Sequence, residues 1–291
     1  MSWVGIQHGK DSRVGSINLL NLDTLKNQSF ELPGRPGFAF ACEDGLSFVV
    51  GCERTLGRFT PQTGAWTPFC EGVDADVENT IINDGMIWED NLIFGTKDLE
   101  FKTKKAGLYL WRASDKKLIR LRDDQICSNG KAIRQTAAGL ELIDIDSPTR
   151  QIVAYPLDIE AGTLGAPKVL IDLTNDPAVP DGMILTPAGD GVIVSMFHPG
   201  DAVDGEARHY DLATGNLLTV WKTPGSPQNT CPMLVAMDND HVDASHRIAL
   251  VMTTAVENMS DAAKAKCVNA GCLFVGETDF DRTTAAPIFP A

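Results

Sequence analysis

Asp181-Gly182-Met183-Ile184-Leu185, the turn Gly189-Asp190-Gly191 and the return run Val192-Ile193-Val194 form the stretch whose reading decides the fold. Apolar residues of β-forming type flank a Gly-Asp-Gly turn on both sides, which predicts a tight and largely buried hairpin. A second hairpin follows at once, from Ala207-Arg208-His209-Tyr210 through the turn Thr214-Gly215-Asn216. Two hairpins in succession make one four-stranded antiparallel unit. The polar residue and glycine that open this unit recur in Asn83-Asp84-Gly85-Met86-Ile87 and in Ser128-Asn129-Gly130-Lys131-Ala132-Ile133. Each copy is expected to open a strand, with its glycine turning the backbone tightly.

Working outward, the same alternation runs the length of the chain. Further inner hairpins are read at Pro36-Gly37-Phe38-Ala39-Phe40 with Leu46-Ser47-Phe48-Val49-Val50, and at Thr230-Cys231-Pro232-Met233-Leu234-Val235 with Ile248-Ala249-Leu250-Val251-Met252. Outer hairpins are read from Gly15, Gly57, Gly107, Gln151, Ala207 and Gly271. Sustained helical periodicity is absent, apart from a short turn around Ser260 to Lys266. The repeat predicts an all-β chain, a six-bladed β-propeller in which residues 1–291 form a single domain. Radial closure also removes the exposed edges that so many short strands would present. A pair of β-sandwiches is the alternative arrangement. In the amino-terminal blade, Trp3-Val4-Gly5-Ile6 supplies a second strand and nothing precedes it. That blade is therefore expected to lack its innermost strand, unless the carboxyl tail provides one.

Composition narrows the function classes. The 291 residues carry 25 Lys+Arg against 39 Asp+Glu, a net charge of −14. Such a chain is repelled by phosphate backbones and anionic membranes, so neither nucleic acid nor membrane is an expected partner. The 7 cysteines are odd in number and irregularly spaced, with no Cys-x-x-Cys pair. Reduced, mostly buried thiols and a cytoplasmic location are the expectation. No basic segment followed by a long apolar run stands at the start, and no stretch approaches membrane-spanning length.

The polar residues of the recurring motif carry the candidate chemistry. Asn83, Asn129 and Asp181 come from three consecutive blades at equivalent positions. Amide and carboxylate oxygens suit Ca²⁺, Mg²⁺ or Mn²⁺ and are tolerable for Zn²⁺. Such a cation would polarise a carbonyl and acidify water, and an aspartate touching that water would act as general base. The plainer reading is that Asn-Gly and Asp-Gly are turn dipeptides whose side chains cap their own backbone.

Asn83-Asp84-Gly85 with Gly95-Thr96, Ser128-Asn129-Gly130 and Pro180-Asp181-Gly182-Met183 resemble the signature segments of the SMP-30/gluconolactonase/luciferin-regenerating-enzyme family. A weaker likeness extends through Thr230-Cys231 and Ala270-Gly271-Cys272-Leu273-Phe274. The resemblance implies a six-bladed propeller that hydrolyses sugar lactones with one divalent cation. It implies Asn129 and Asp181 as metal ligands, Asp181 also as general base, and Asn83 and Glu100 as substrate contacts. Asp84 would brace the loop.

Two positions depart from the family pattern. Its substrate-binding arginine is Ile81 here, and its third ligand, a glutamate, belongs to the innermost strand that the amino-terminal blade lacks. A metal-dependent lactonase is thus the leading expectation, with a small lactone as its partner molecule. A degenerate, non-catalytic propeller that binds a small molecule or a protein is the alternative.

Other residues carry less. His8, His198, His209, His241 and His246 show no paired ligand spacing, although His198 follows an inner strand. Ser128 and Ser195 lack a Gly-x-Ser-x-Gly context, which argues against a serine hydrolase. Trp66, Trp88, Trp111 and Trp221 occupy hairpin positions suited to packing between blades.

Overall fold

The computed structural model describes residues 1–9, 11–237, 248–284 and 287–290. His241 and His246 lie outside the described residues. The fold is a six-bladed β-propeller, with six antiparallel sheets among the described residues. The chain divides into two compact units. The first holds residues 1–128, 158–164 and 286–291, and the second holds residues 129–157 and 165–285.

In the first unit, the first sheet has three strands, Ser2–Gly5, Ser16–Leu20 and Asn27–Glu31. The second sheet runs in chain order through Pro36–Ala41, Phe48–Cys52, Thr55–Thr60 and Ala65–Cys70. The third runs through Thr80–Trp88, Asn91–Asp98, Ala106–Arg112 and Lys117–Gln125. The second strand of this third sheet is buried along its whole length, because both of its faces and both of its edges are covered. Phe38, Val49, Leu56, Ile82, Leu92, Phe94, Tyr109 and Trp111 fill the space between the second and third sheets.

Among the described residues, the carboxyl tail supplies no strand to the first sheet. Its Phe289 instead forms a parallel bridge with Cys42 at the end of the second sheet's inner strand. Arg58 donates to the Pro290 carbonyl, and the Phe289 ring packs against Trp111 and Phe69.

In the second unit, the fourth sheet begins with Ser128–Thr136, Gly139–Asp146 and Gln151–Asp158, and Lys168–Asp172 pairs with the last of these. The fifth sheet contains Val179–Leu185, Gly191–Phe197, Gly205–Asp211 and Leu217–Thr223. The sixth contains Asn229–Ala236, Ile248–Thr254 and Phe274–Glu277. A short helix, Asp261–Lys266, is capped by the Ser260 hydroxyl where the sequence suggests a turn. All seven cysteines are free thiols, five of them buried, with Cys231 and Cys272 exposed.

Candidate functional site

The recurring motif does not sit in a turn. Asn83 is inside the strand Thr80–Trp88, and Asp181 is inside Val179–Leu185. Both stand at register shifts, between Ile82 and Asp84 in one sheet and between Pro180 and Met183 in the other. Similar shifts occur between Pro36 and Phe38 and between Asn229 and Cys231. Each innermost strand in these sheets therefore carries a bulge near its start, which re-aims a side chain that regular pleating would point elsewhere.

The glycines serve close packing rather than a tight turn. Gly85, Gly130 and Gly182 all lack a positive φ. A Cβ on Gly182 would stand 2.4 Å from the Thr230 carbonyl oxygen, and one on Gly130 would stand 2.5 Å from the Met183 Cβ. In the first unit, Gly37 meets the Ile82 carbonyl in the same way, at 2.6 Å. Innermost strands of neighbouring blades approach so closely that only a missing side chain fits.

In the first unit, the buried Asn83 donates through Nδ2 to the Ser128 carbonyl at 2.8 Å, with the Cys127 sulfur at 3.7 Å. Asp84 accepts the Gly85 N–H at 2.8 Å, a local bracing contact. Ile81 is buried at 2 % exposure. Glu100 is exposed in the turn that follows the strand Asn91–Asp98. That turn is organised by Asp98, whose fully buried carboxylate accepts from the N–H groups of Glu100, Lys102 and Thr103 and pairs with Lys105 at 3.0 Å. Burial pushes the Asp98 carboxyl up, but those donors outweigh it and bring it down to about 2.

In the second unit, Asn129 donates through Nδ2 to Ser147 Oγ at 2.7 Å, and Ser147 Oγ donates to the Pro180 carbonyl at 2.6 Å. A buried serine thus couples Asn129 to the residue before Asp181. Donation from Nδ2 also fixes the amide's orientation and leaves Oδ1 as its oxygen end. Lys131, two residues on, donates to the Asn129 carbonyl at 2.5 Å and lies 3.5 Å from Asp144, and both side chains are buried. The approach to Asp181 is clamped as well, since Arg208 donates to Asp176 at 2.5 Å and Arg150 donates to the Asp176 carbonyl. His198 is half-buried nearby in chain terms. Its burial lowers its pKa against the opposing pull of Asp176 and Glu206.

Sequence reasoning passes over Ser147, Lys131 with Asp144, and Asp98. Ser147 gives no signal, since it lies far along the chain from both of its partners. Lys131 does give one, a charge inside the apolar run Gly130-Lys131-Ala132-Ile133.

These bulged, glycine-packed strands are matched by a family model, the SMP-30/Gluconolactonase/LRE-like region, over residues 1–242. The chain belongs to this family. It is 27% identical over 239 residues to regucalcin of Danio rerio, a match covering 78% of this chain and 75% of that one. It is 24% identical over 195 residues to a putative sugar lactone lactonase, YvrE, of Bacillus subtilis, covering 67% and 59% respectively. The matched regions span between a third and three quarters of the length of the curated relatives. Among solved structures, the calcium-binding protein regucalcin from Agrobacterium tumefaciens strain C58 shares the fold at a TM-score of 0.78 and 19% identity. That match covers 98% of this chain and 92% of that one.

Proposed function

We propose that this family member is a hydrolase of small cyclic esters of the sugar-lactone type, with all six blades acting as one domain. The observation that carries the reading is the bulged strand start that presents Asp181, together with the buried Asn129, whose amide is joined through Ser147 to the Pro180 carbonyl. The lactonase name of a relative and the family model support it.

Asp181 is the general base in this reading. Its carboxylate takes a proton from water as the water oxygen adds to the lactone carbonyl carbon. The proton then passes to the ring oxygen as the ring C–O bond breaks, giving the open hydroxy acid. Asn83 and Glu100 are assigned to the ring hydroxyls.

An amide oxygen and a carboxylate are hard donors, so Asn129 and Asp181 fit a divalent cation such as Ca²⁺, Zn²⁺, Mn²⁺ or Mg²⁺ and would hold it. Such an ion would supply carbonyl polarisation and a more acidic water. Two protein ligands are few, and among the described residues no group of three His, Cys, Asp or Glu side chains is placed to hold a metal. Weak, readily reversed metal binding is the consequence.

The test is hydrolysis of a panel of neutral sugar lactones by protein stripped with chelator and then titrated with each metal. Activity that falls on stripping and returns at high micromolar or millimolar metal supports the assignment. A folded protein that neither binds these metals nor turns over any lactone favours the alternative, a non-catalytic binding propeller, for which buried Ile81 and the sparse ligand set speak.

A further inference from the structure

Three side-chain oxygens of the second unit, Ser195 Oγ, Ser226 Oγ and Asn229 Oδ1, are buried and have no hydrogen-bond partner among the described residues. An unpaired polar atom in a protein interior costs the full loss of its hydration, so three in one place call for a common partner.

Strand register brings them together. Ser195 lies two residues beyond Ile193, which packs in one cluster with Leu234 and Leu250 of the sixth sheet, so both face that sheet. The cross-strand partner of Ser195 is Ala207, and two residues before Ala207, Gly205 pairs with Thr223. A Cβ on Gly205 would meet the Ser226 carbonyl oxygen and, at 2.8 Å, Thr223 Oγ1. From the sixth sheet, Asn229 reaches the same spot and donates through Nδ2 to Thr223 Oγ1 at 3.0 Å. An antiparallel bridge between Phe197 and Gln228 sets Asn229 beside the end of the strand that holds Ser195. The side chains lining this spot are small, as a site for one solvent molecule requires.

Donors and acceptors say what fits. Thr223 Oγ1 accepts from Asn229 and donates to the Ser226 carbonyl at 2.8 Å, so its proton is used. Donation from Nδ2 fixes the Asn229 amide and leaves Oδ1 as an acceptor, while each serine hydroxyl offers one proton and two lone pairs. No carboxylate belongs to the set. A small neutral molecule that both donates and accepts satisfies all three groups, whereas a cation leaves the hydroxyl protons unmatched.

Ser195 also stands opposite the bulge of the candidate site. Pro180 pairs with Met196 and Met183 with Val194, so Asp181 and Gly182 are the two residues that oppose Ser195. We propose that Ser195, Ser226 and Asn229 hold one buried water molecule, which ties the fifth sheet to the sixth beside the bulge that presents Asp181. Ser195 is thereby a positioning residue for Asp181. The water site stands on burial and register alone, and the positioning role rests on the lactonase reading.

The test is a set of variants of the whole chain, read first by thermal melting. Ser195→Ala and Ser226→Ala are each expected to lower Tm by about 3–8 °C, because each removes a partner of a bound water. The double variant should fall by less than the sum of the two, since both changes act through the same water. A hydroxyl that pairs with nothing gives the opposite sign, because its removal leaves Tm unchanged or raises it. That result, or full additivity, would overturn the site. A high-resolution crystal structure should show one water within hydrogen-bonding distance of all three oxygens. A dry site, or anomalous scattering there after a rubidium soak, would overturn the water. On a sugar lactone, both single variants are expected to lower kcat by about three- to tenfold with KM held within about twofold. Wild-type kcat in a variant of lowered Tm would overturn the positioning role. If the wild-type protein turns over no lactone, the lactonase reading fails, and melting and the crystal structure still decide the water site.

Discussion

Ser147 shows how much one small side chain can carry. Its hydroxyl accepts from the Asn129 amide and donates to the Pro180 carbonyl, and all three groups lie in the second unit. Ser147→Ala would strip both buried partners of their bridge. The expected cost is about 1–3 kcal/mol in chemical denaturation, with lower activity, because Asn129 loses the contact that sets its orientation. Ser147→Thr, which keeps the hydroxyl, should be milder. This contact was not legible in the sequence. Eighteen residues separate Asn129 from Ser147, and no pattern marks one serine among many as a bridge. Asn83, Asn129 and Asp181 stood out as candidates because they recur in a repeat. Lys131 announced itself as a charge in an apolar run, but its buried partner Asp144 comes from a strand that only folding brings beside it.

The glycine of each motif belongs to the scale of the element. Its position could be read from sequence, and its purpose could not. Asn-Gly and Asp-Gly are strong turn signals, so a turn is the natural expectation. In the folded chain these glycines sit in extended strands, and the bare Cα atoms of Gly130 and Gly182 let the next blade's inner strand come close. Local sequence cannot distinguish a glycine needed for its φ from one needed for its size. Gly182→Ala separates them. The added methyl would meet the Thr230 carbonyl at 2.4 Å with no conformational strain of its own. Destabilisation of about 1–3 kcal/mol is expected from the steric conflict alone. A thermal melt and a denaturant titration check this, and an unchanged midpoint would contradict the packing role.

At the scale of the molecule, the propeller was legible because its repeat is written in hairpins, turn chemistry and buried apolar runs, all of which act locally. The three-stranded first sheet follows from the same count. The docking of Phe289 and Pro290 against the second sheet does not, since it depends on a long-range bridge and on the pairing of Pro290 with Arg58. The functional reading is drawn together most tightly at Asp181, the residue assigned to proton transfer. The decisive measurement is the kcat/KM of wild-type protein and of Asp181→Ala on sugar lactones in the presence of a divalent metal, with circular dichroism confirming that both are folded. The expected result is turnover by the wild-type protein and a fall of about a hundredfold to ten-thousandfold in the variant. Wild-type kcat/KM in Asp181→Ala, or no turnover of any lactone by the folded wild-type protein, would contradict the account.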